Sequence, residues 1–113
     1  MLSKTEVAVD IYIKHNGNQL LAPGKIRLLR EIHKGGSLRT AAKELKISYQ
    51  NMWDTIDELN NAASQIVVVK QRGGTGGGGA FLTEYGKRLL EEFEIIENEI
   101  QKFINRLNTE INL

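Results

Sequence analysis

The sequence contains no cysteine, a single proline and few aromatic residues, and its apolar runs are short. The lack of cysteine excludes disulfides and thiolate metal sites, which is compatible with a reducing cytoplasm. The longest apolar runs are about four residues, far below the ~20 that cross a bilayer, and the amino terminus lacks a signal-peptide core. A chain of 113 residues fits one domain. The absences predict that it is soluble and cytoplasmic and has no membrane partner.

Glycine, in contrast, is concentrated, because six of the eleven glycines fall between residues 73 and 79. Gly74, Gly76 and Gly79 form a G-x-G-x-x-G pattern, but a dinucleotide-binding loop must open directly into a helix. Here Phe81-Leu82 follow and resemble a strand, and the Gly-Lys-Ser/Thr of a P-loop is absent. We interpret the stretch as the tip of a wing between two antiparallel strands, where glycines let the backbone approach a surface closely. A merely flexible loop is the alternative.

Charge is divided unevenly along the chain, although the net charge is only +1. Residues 25–88 contain eleven basic and six acidic side chains, whereas residues 89–113 contain two basic and six acidic ones. A basic middle followed by an acidic end predicts a module that binds a polyanion and carries an assembly element. Chance asymmetry is the alternative reading.

The patterns of apolar residues and turn signals predict a mainly α fold with small β-hairpins, in the order hairpin, three helices, hairpin, long helix. This order describes a winged helix-turn-helix over residues 1–82, followed by a long helix for dimerisation over residues 83–113. The predicted elements are strands at Val7–Ile13 and Gln19–Leu21, helices at Pro23–Lys34, Leu38–Leu45 and Tyr49–Ala62, strands at Ile66–Val69 and Ala80–Leu82, and a helix from Thr83 to about Asn108.

Three hydroxyl residues, Ser37, Ser48 and Thr83, precede helical patterns and are predicted as N-caps. The small residue Ala42 allows the third helix to cross the second at close range. Lys46 occupies the turn between them, where glycine is common, and a left-handed backbone there costs on the order of 1 kcal/mol.

Several motifs in the middle of the chain occur together in one known family. They are Gly36-Ser37-Leu38, Ala41-Ala42, Ile47-Ser48-Tyr49, Trp53-Asp54, Ile56-Asp57-Glu58-Leu59-Asn60, the glycine-rich stretch, Leu82-Thr83 and Tyr85-Gly86. Over roughly residues 20–90 the sequence resembles the DNA-binding domain of molybdate-responsive transcription regulators, the ModE family. LysR-type regulators share a looser version. Full-length ModE members carry C-terminal oxyanion-binding domains, for which a chain that ends at Leu113 has no room. We therefore expect a stand-alone DNA-binding version or a fragment, with no cofactor and no small-molecule effector site.

The resemblance implies that the third helix enters the major groove of double-stranded DNA with its first turn leading. Gln50 and Asn51 suit adenine edges, and Asp54 can accept from cytosine or orient a neighbour. Ser48 has a competing role as a cap, basic residues of the second helix and the wing suit phosphates, and Trp53 is expected at the edge of the core. The predicted DNA-binding residues are Arg39, Lys43, Ser48, Tyr49, Gln50, Asn51, Asp54, Lys70, Arg72 and Thr75.

The last helix carries an apolar heptad stripe, with spacings of four, three, four, three and four. Its members, the predicted dimerisation residues, are Leu89, Phe93, Ile96, Ile100, Phe103 and Leu107. A helix of ~25 residues spans ~37 Å, more than a small winged domain can cover, so we expect a homodimer. A helix that folds back on its own domain is the alternative.

These features together predict a dimeric, sequence-specific DNA-binding transcription regulator of ModE type. A winged-helix adaptor that binds another protein is the second hypothesis. An enzyme is the weakest, because no nucleophile, base or metal cluster is evident. His15 and His33 lack ligand-like spacing, and the glutamates of the last helix are interpreted as solvating charges.

Overall fold

The computed structural model describes residues 4–35, 37–71 and 79–111. The predicted element order and fold class are confirmed. The elements are β1 (Ile13–His15), β2 (Asn18–Leu21), α1 (Pro23–Lys34), α2 (Leu38–Leu45), α3 (Tyr49–Ala62), β3 (Val68–Gln71), β4 (Gly79–Leu82) and α4 (Glu84–Glu110). None of the helices in the described ranges is both long and apolar enough to span a membrane.

The first hairpin turns through Asn16 and Gly17, which both adopt positive φ, 52° and 80°. Positive φ at both central residues of a two-residue loop is the type I′ geometry that Asn-Gly favours. The strand before the turn is shorter than predicted, because β1 begins only at Ile13. The preceding segment instead contacts α4: the Val7 amide donates to Asn108 Oδ1 over 2.6 Å, and Asn108 Nδ2 donates to the Val7 carbonyl over 3.2 Å.

The helix-turn-helix formed by α2 and α3 is set by its capping residues. The Ser37 side chain accepts from the Thr40 amide, and the Ser48 side chain accepts from the Asn51 amide, each over 3.0 Å. Lys46 ends α2 in the left-handed region, at φ 58° and ψ 41°. The three-residue turn therefore has the geometry predicted for it, with lysine in place of the commoner glycine.

One hydrophobic core joins the helices to both hairpins. Ala41 and Ala42 of α2 are buried, which allows α3 to pack closely across it. Burying one large aliphatic side chain contributes about 1.5–3 kcal/mol. The most deeply buried large side chains are Leu21, Ile26, Leu28, Leu29, Met52, Ile56, Leu59, Val67 and Val68.

The second hairpin is the wing, with β3 and β4 antiparallel and in register from Val68–Leu82 to Gln71–Gly79. The strand β3 begins two residues later than predicted. The Asn60 side chain explains where pairing starts: its Oδ1 accepts from the amides of Val67 and Val68, and its Nδ2 donates to the Val68 carbonyl, all within 3.1 Å. Residues 72–78, which connect the strands, lie outside the described ranges.

The start of α4 is fastened to the segment that leads into β3. Thr83 caps the helix by accepting from the Gly86 amide over 2.9 Å, and its hydroxyl donates to the Ile66 carbonyl over 2.6 Å. Gly86 is buried, and a Cβ at this position would overlap the Val67 carbonyl oxygen. In the pattern Leu82-Thr83-x-x-Gly86, the threonine caps α4, and the glycine lets α4 approach the segment before β3 more closely than any other residue would permit.

Candidate nucleic-acid interface

The first two turns of α3 present polar side chains to solvent. Gln50, Asn51 and Asp54, which we call the reading face, are all exposed. Gln50 Nε2 donates to Asp54 Oδ1 over 2.9 Å, and the Thr55 hydroxyl donates to the Asn51 carbonyl over 2.8 Å. The Asn51 side chain has no hydrogen-bond partner among the described residues. This surface offers both donors and acceptors, which is what reading base edges requires.

Tyr49, one of the predicted DNA-binding residues, is half-buried and packs against the core. The Arg39 guanidinium lies 4.5 Å from the centre of its ring, a cation–π contact. The Trp53 ring meets Tyr49 edge-on, with centroids 5.8 Å apart and planes at 80°. Trp53 itself packs at the edge of the core, as predicted. Tyr49 and Trp53 thus hold Arg39 beside the reading face.

A second cationic side chain, Lys70 on strand β3 of the wing, also contacts α3. Lys70 of β3 places Nζ 5.2 Å from the Trp53 ring centre and forms an ion pair with Asp57 of α3. Asp57 was not among the predicted site residues, yet it binds one of them. Since the Lys70 and Asp57 side chains are 37% and 56% exposed, the pair contributes little to stability. It joins the base of the wing to α3.

The remaining predicted contact residues fall into two groups. Arg39 and Lys43 are exposed on α2, the helix that precedes α3, and Ser48 is the N-cap of α3. Arg72 and Thr75 lie outside the described residues.

The described residues contain no group of three or more acidic or histidine side chains that could hold a metal ion.

Two residues that organise this surface were missed from the sequence. Asn60 fastens β3 to the end of α3, and Gly86 allows α4 to approach the strand. A helical asparagine carries no local signal for such a clamp, since its partners are seven and eight residues away. Asn60 and Gly86 both belonged to noted motifs, and their tertiary contacts supply the physical reason for each.

The apolar stripe of α4 is divided between two directions. Leu90, Phe93 and Ile104 are buried against the protein's own chain, with 6%, 3% and 6% of their surface exposed. Ile96 and Phe103 are 37% and 49% exposed. Phe93, one of the predicted dimerisation residues, therefore packs in the core of its own domain, and its part in a dimer contact stays a prediction.

The remaining stripe residues lie between these two directions. Leu89 packs against the core, and Ile100 and Leu107 are half-buried. We call the less covered set, Ile96, Ile100, Phe103 and Leu107, the outer stripe.

Two of the glutamates interpreted as solvating charges have a specific partner instead. Arg30 of α1 bonds Glu94 over 3.3 Å and Glu97 over 2.9 Å, which ties α1 to the middle of α4. The Arg30 side chain is about one-third exposed, at 35%. The inner side of α4 is therefore occupied by its own domain through both apolar and ionic contacts.

Comparison with known proteins finds bacterial transcriptional regulators that are similar to this chain in sequence. No family model matches the chain. It is 41% identical over 92 residues to the molybdenum transport protein ModE of Azotobacter vinelandii, covering 81% of this chain and 34% of that protein. It is 40% identical over 86 residues to the DNA-binding transcriptional dual regulator ModE of Escherichia coli K12, covering 76% and 33%.

Two further matches extend the comparison in sequence and in fold. The molybdenum-pterin-binding protein MopA of Rhodobacter capsulatus is 37% identical over 106 residues, covering 94% of this chain and 40% of that protein. A variant of ZitR from Lactococcus lactis matches in structure with a TM-score of 0.60 at 14% identity, covering 96% of this chain and 73% of that one. The chain spans about a third of the ModE proteins it matches. Over about four fifths of its length, this chain is a relative of the ModE transcriptional regulators.

Proposed function

We propose that this chain is a DNA-binding transcription regulator of ModE type that acts in the cytoplasm by binding and not by catalysis. It binds a two-fold operator as a homodimer, with α3 in the major groove and the glycine-rich wing against the backbone. The observation that carries the proposal is the reading face itself. Gln50, Asn51 and Asp54 are exposed on the first two turns of α3, where a helix-turn-helix protein meets base edges.

Charge around the reading face supports a nucleic acid as the partner. Arg39 and Lys43 are exposed on α2, the helix that crosses the phosphate backbone in this docking geometry. Phosphate contacts of this kind supply affinity and orientation, whereas base contacts supply specificity. Lys70 lies at the base of the wing in an ion pair with Asp57, and its contact with a phosphate remains part of the proposal.

The outer stripe supports a second copy of the chain as the other partner. Ile96 and Phe103 are seven residues apart, so they lie on the same side of α4 and leave an apolar surface exposed. The inner side of α4 is covered by the protein's own domain, whereas the outer stripe is left for a helix of the second copy. Pairing along a two-fold axis would present two α3 helices to half-sites separated by one helical turn or a multiple, about 34–36 Å for one turn.

The decisive experiment is selection of bound duplexes from a random DNA pool by the wild-type chain. We expect enrichment of an inverted repeat, because each subunit of a two-fold dimer reads one half-site. Enrichment of no motif would contradict the proposal.

A winged-helix adaptor that binds another protein is the second candidate, favoured by the exposure of Ile96 and Phe103 alone. Titration of random duplex at several salt concentrations separates the two candidates. A DNA-binding protein loses affinity with a slope of about −0.9 per neutralised phosphate on a log–log plot, whereas an adaptor shows no steep dependence.

A further inference from the structure

The hydrogen bond between Gln50 and Asp54 fixes the orientation of a base-reading amide. Both side chains are exposed, and Gln50 Nε2 lies 2.9 Å from Asp54 Oδ1. An ionised carboxylate only accepts hydrogen bonds, so the amide nitrogen and not its oxygen must face Asp54. The bond spans one helical turn on the exposed side of α3. A pair at this spacing also stabilises an isolated helix, which is the purely structural role it could have.

The bond changes what the Gln50 amide can offer to DNA. A free primary amide has two N–H donors and one carbonyl acceptor. With one N–H held by Asp54, one donor and one acceptor remain side by side. Adenine presents the matching pair in the major groove, an N7 acceptor and an N6 amino donor. Guanine presents two acceptors, N7 and O6, which would need two donors and would face the nearby Asp54 charge.

We infer that Asp54 is a positioning residue that orients the Gln50 amide for adenine and against guanine at one base pair of each half-site. This inference rests on the proposed function, since it assumes that the reading face enters the major groove. Asp54 acts through Gln50 and need not touch the DNA. Holding the amide before binding also removes part of the cost of ordering a flexible side chain on the DNA.

The test is a double-mutant cycle on base preference. The dissociation constants of the wild type, Asp54→Ala, Gln50→Ala and the double variant are measured at one salt concentration against an operator from the selection. A series of duplexes places adenine or guanine at each base pair of the half-site in turn. Both side chains are exposed, so the variants should fold, and thermal unfolding verifies this.

We expect the wild type to prefer adenine over guanine about tenfold at one position, the low end for a bidentate base contact. Asp54→Ala should reduce that preference to about threefold or less, while loss of its negative charge raises affinity for all duplexes together. In the Gln50→Ala background, Asp54→Ala should leave the remaining preference unchanged, because the residue it positions is gone.

Two results would overturn the inference while leaving the proposed function intact. One is an Asp54→Ala chain that binds all duplexes more tightly but keeps the wild-type ratio. The other is an equal change of the ratio with and without Gln50, which would show that Asp54 contacts DNA directly. A wild-type chain with no base preference at any position would instead remove the proposed function, and this inference with it.

Discussion

Two exposed helical surfaces of this protein differ in how their side chains are satisfied. On the reading face of α3, Gln50 and Asp54 bond each other. On the outer stripe of α4, the apolar side chains of Ile96 and Phe103 are exposed, and the Arg106 guanidinium lies 5.0 Å from the centre of the Phe103 ring. A surface of paired polar groups suits a hydrated, charged partner such as DNA. A line of apolar side chains suits a partner of the same kind, and the chain itself supplies one. Exposure alone did not distinguish these surfaces, whereas their chemistry does.

The largest expected effect comes from placing charge on the outer stripe. The double substitution Ile96→Glu with Phe103→Glu should convert a dimer into a monomer, because four carboxylates would be buried in the dimer contact. Affinity for a two-site operator should fall by about 10²–10⁴, the usual gain from linking two binding events. Affinity for a single half-site should be unchanged. Light scattering and DNA titration measure both effects.

The control is Ile95→Glu, which adds one carboxylate directly beside Ile96, at a side chain that is 57% exposed. Ile95 points about 100° away from Ile96 around the helix, off the outer stripe. It should leave the dimer intact. If the double variant kept the molecular mass of the wild-type dimer, the outer stripe would not be the dimer contact.

An intermediate effect is expected at the joint between the two surfaces. Gly86→Ala would push a methyl group into the Val67 carbonyl, which also accepts from the Thr83 amide over 3.0 Å. Overpacking of this kind typically lowers the free energy of unfolding by about 1–3 kcal/mol. Urea unfolding followed by the fluorescence of Trp53, the single tryptophan, measures it.

Gly24→Ala is the control for this prediction, because no atom lies within 4 Å of a Cβ added there. Gly24 lies in α1, so alanine should raise stability, by up to about 1 kcal/mol. Equal effects of the two substitutions would mean that α4 does not approach the strand segment as closely as described.

The sequence predicted the elements that depend on local chemistry. Pro23 marked the start of α1, and Ser37, Ser48 and Thr83 were correctly identified as caps, because side-chain capping involves residues only three positions apart. The left-handed backbone of Lys46 was predicted from its place in a turn where glycine is common. The reading face was placed at the start of α3 by the resemblance to ModE regulators, and its function stays a prediction.

Features that depend on distant contacts were not predictable in this way. The strand predicted from Val7 begins only at Ile13, and the Val7 backbone instead bonds Asn108, about a hundred residues later. Periodicity located the stripe on α4 but could not show that Phe93 faces the domain and Phe103 faces away. Phe93 and Phe103 are the same residue type on the same stripe, and only the parts of the fold packed against them distinguish the two positions. The division into a DNA-binding unit and a dimerisation helix stays a prediction as well.

The measurement that tests the central claim most directly is the base preference of Asn51→Ala. Asn51 is exposed beside Gln50, and Asn61→Ala alters the same residue type at the exposed far end of α3. Affinities for operators substituted at each base pair should show a loss of about 1–3 kcal/mol of discrimination at one position per half-site for Asn51→Ala. Asn61→Ala should retain the wild-type pattern. If Asn51→Ala discriminated among the operators as the wild type does, the leading turn of α3 would not be reading DNA.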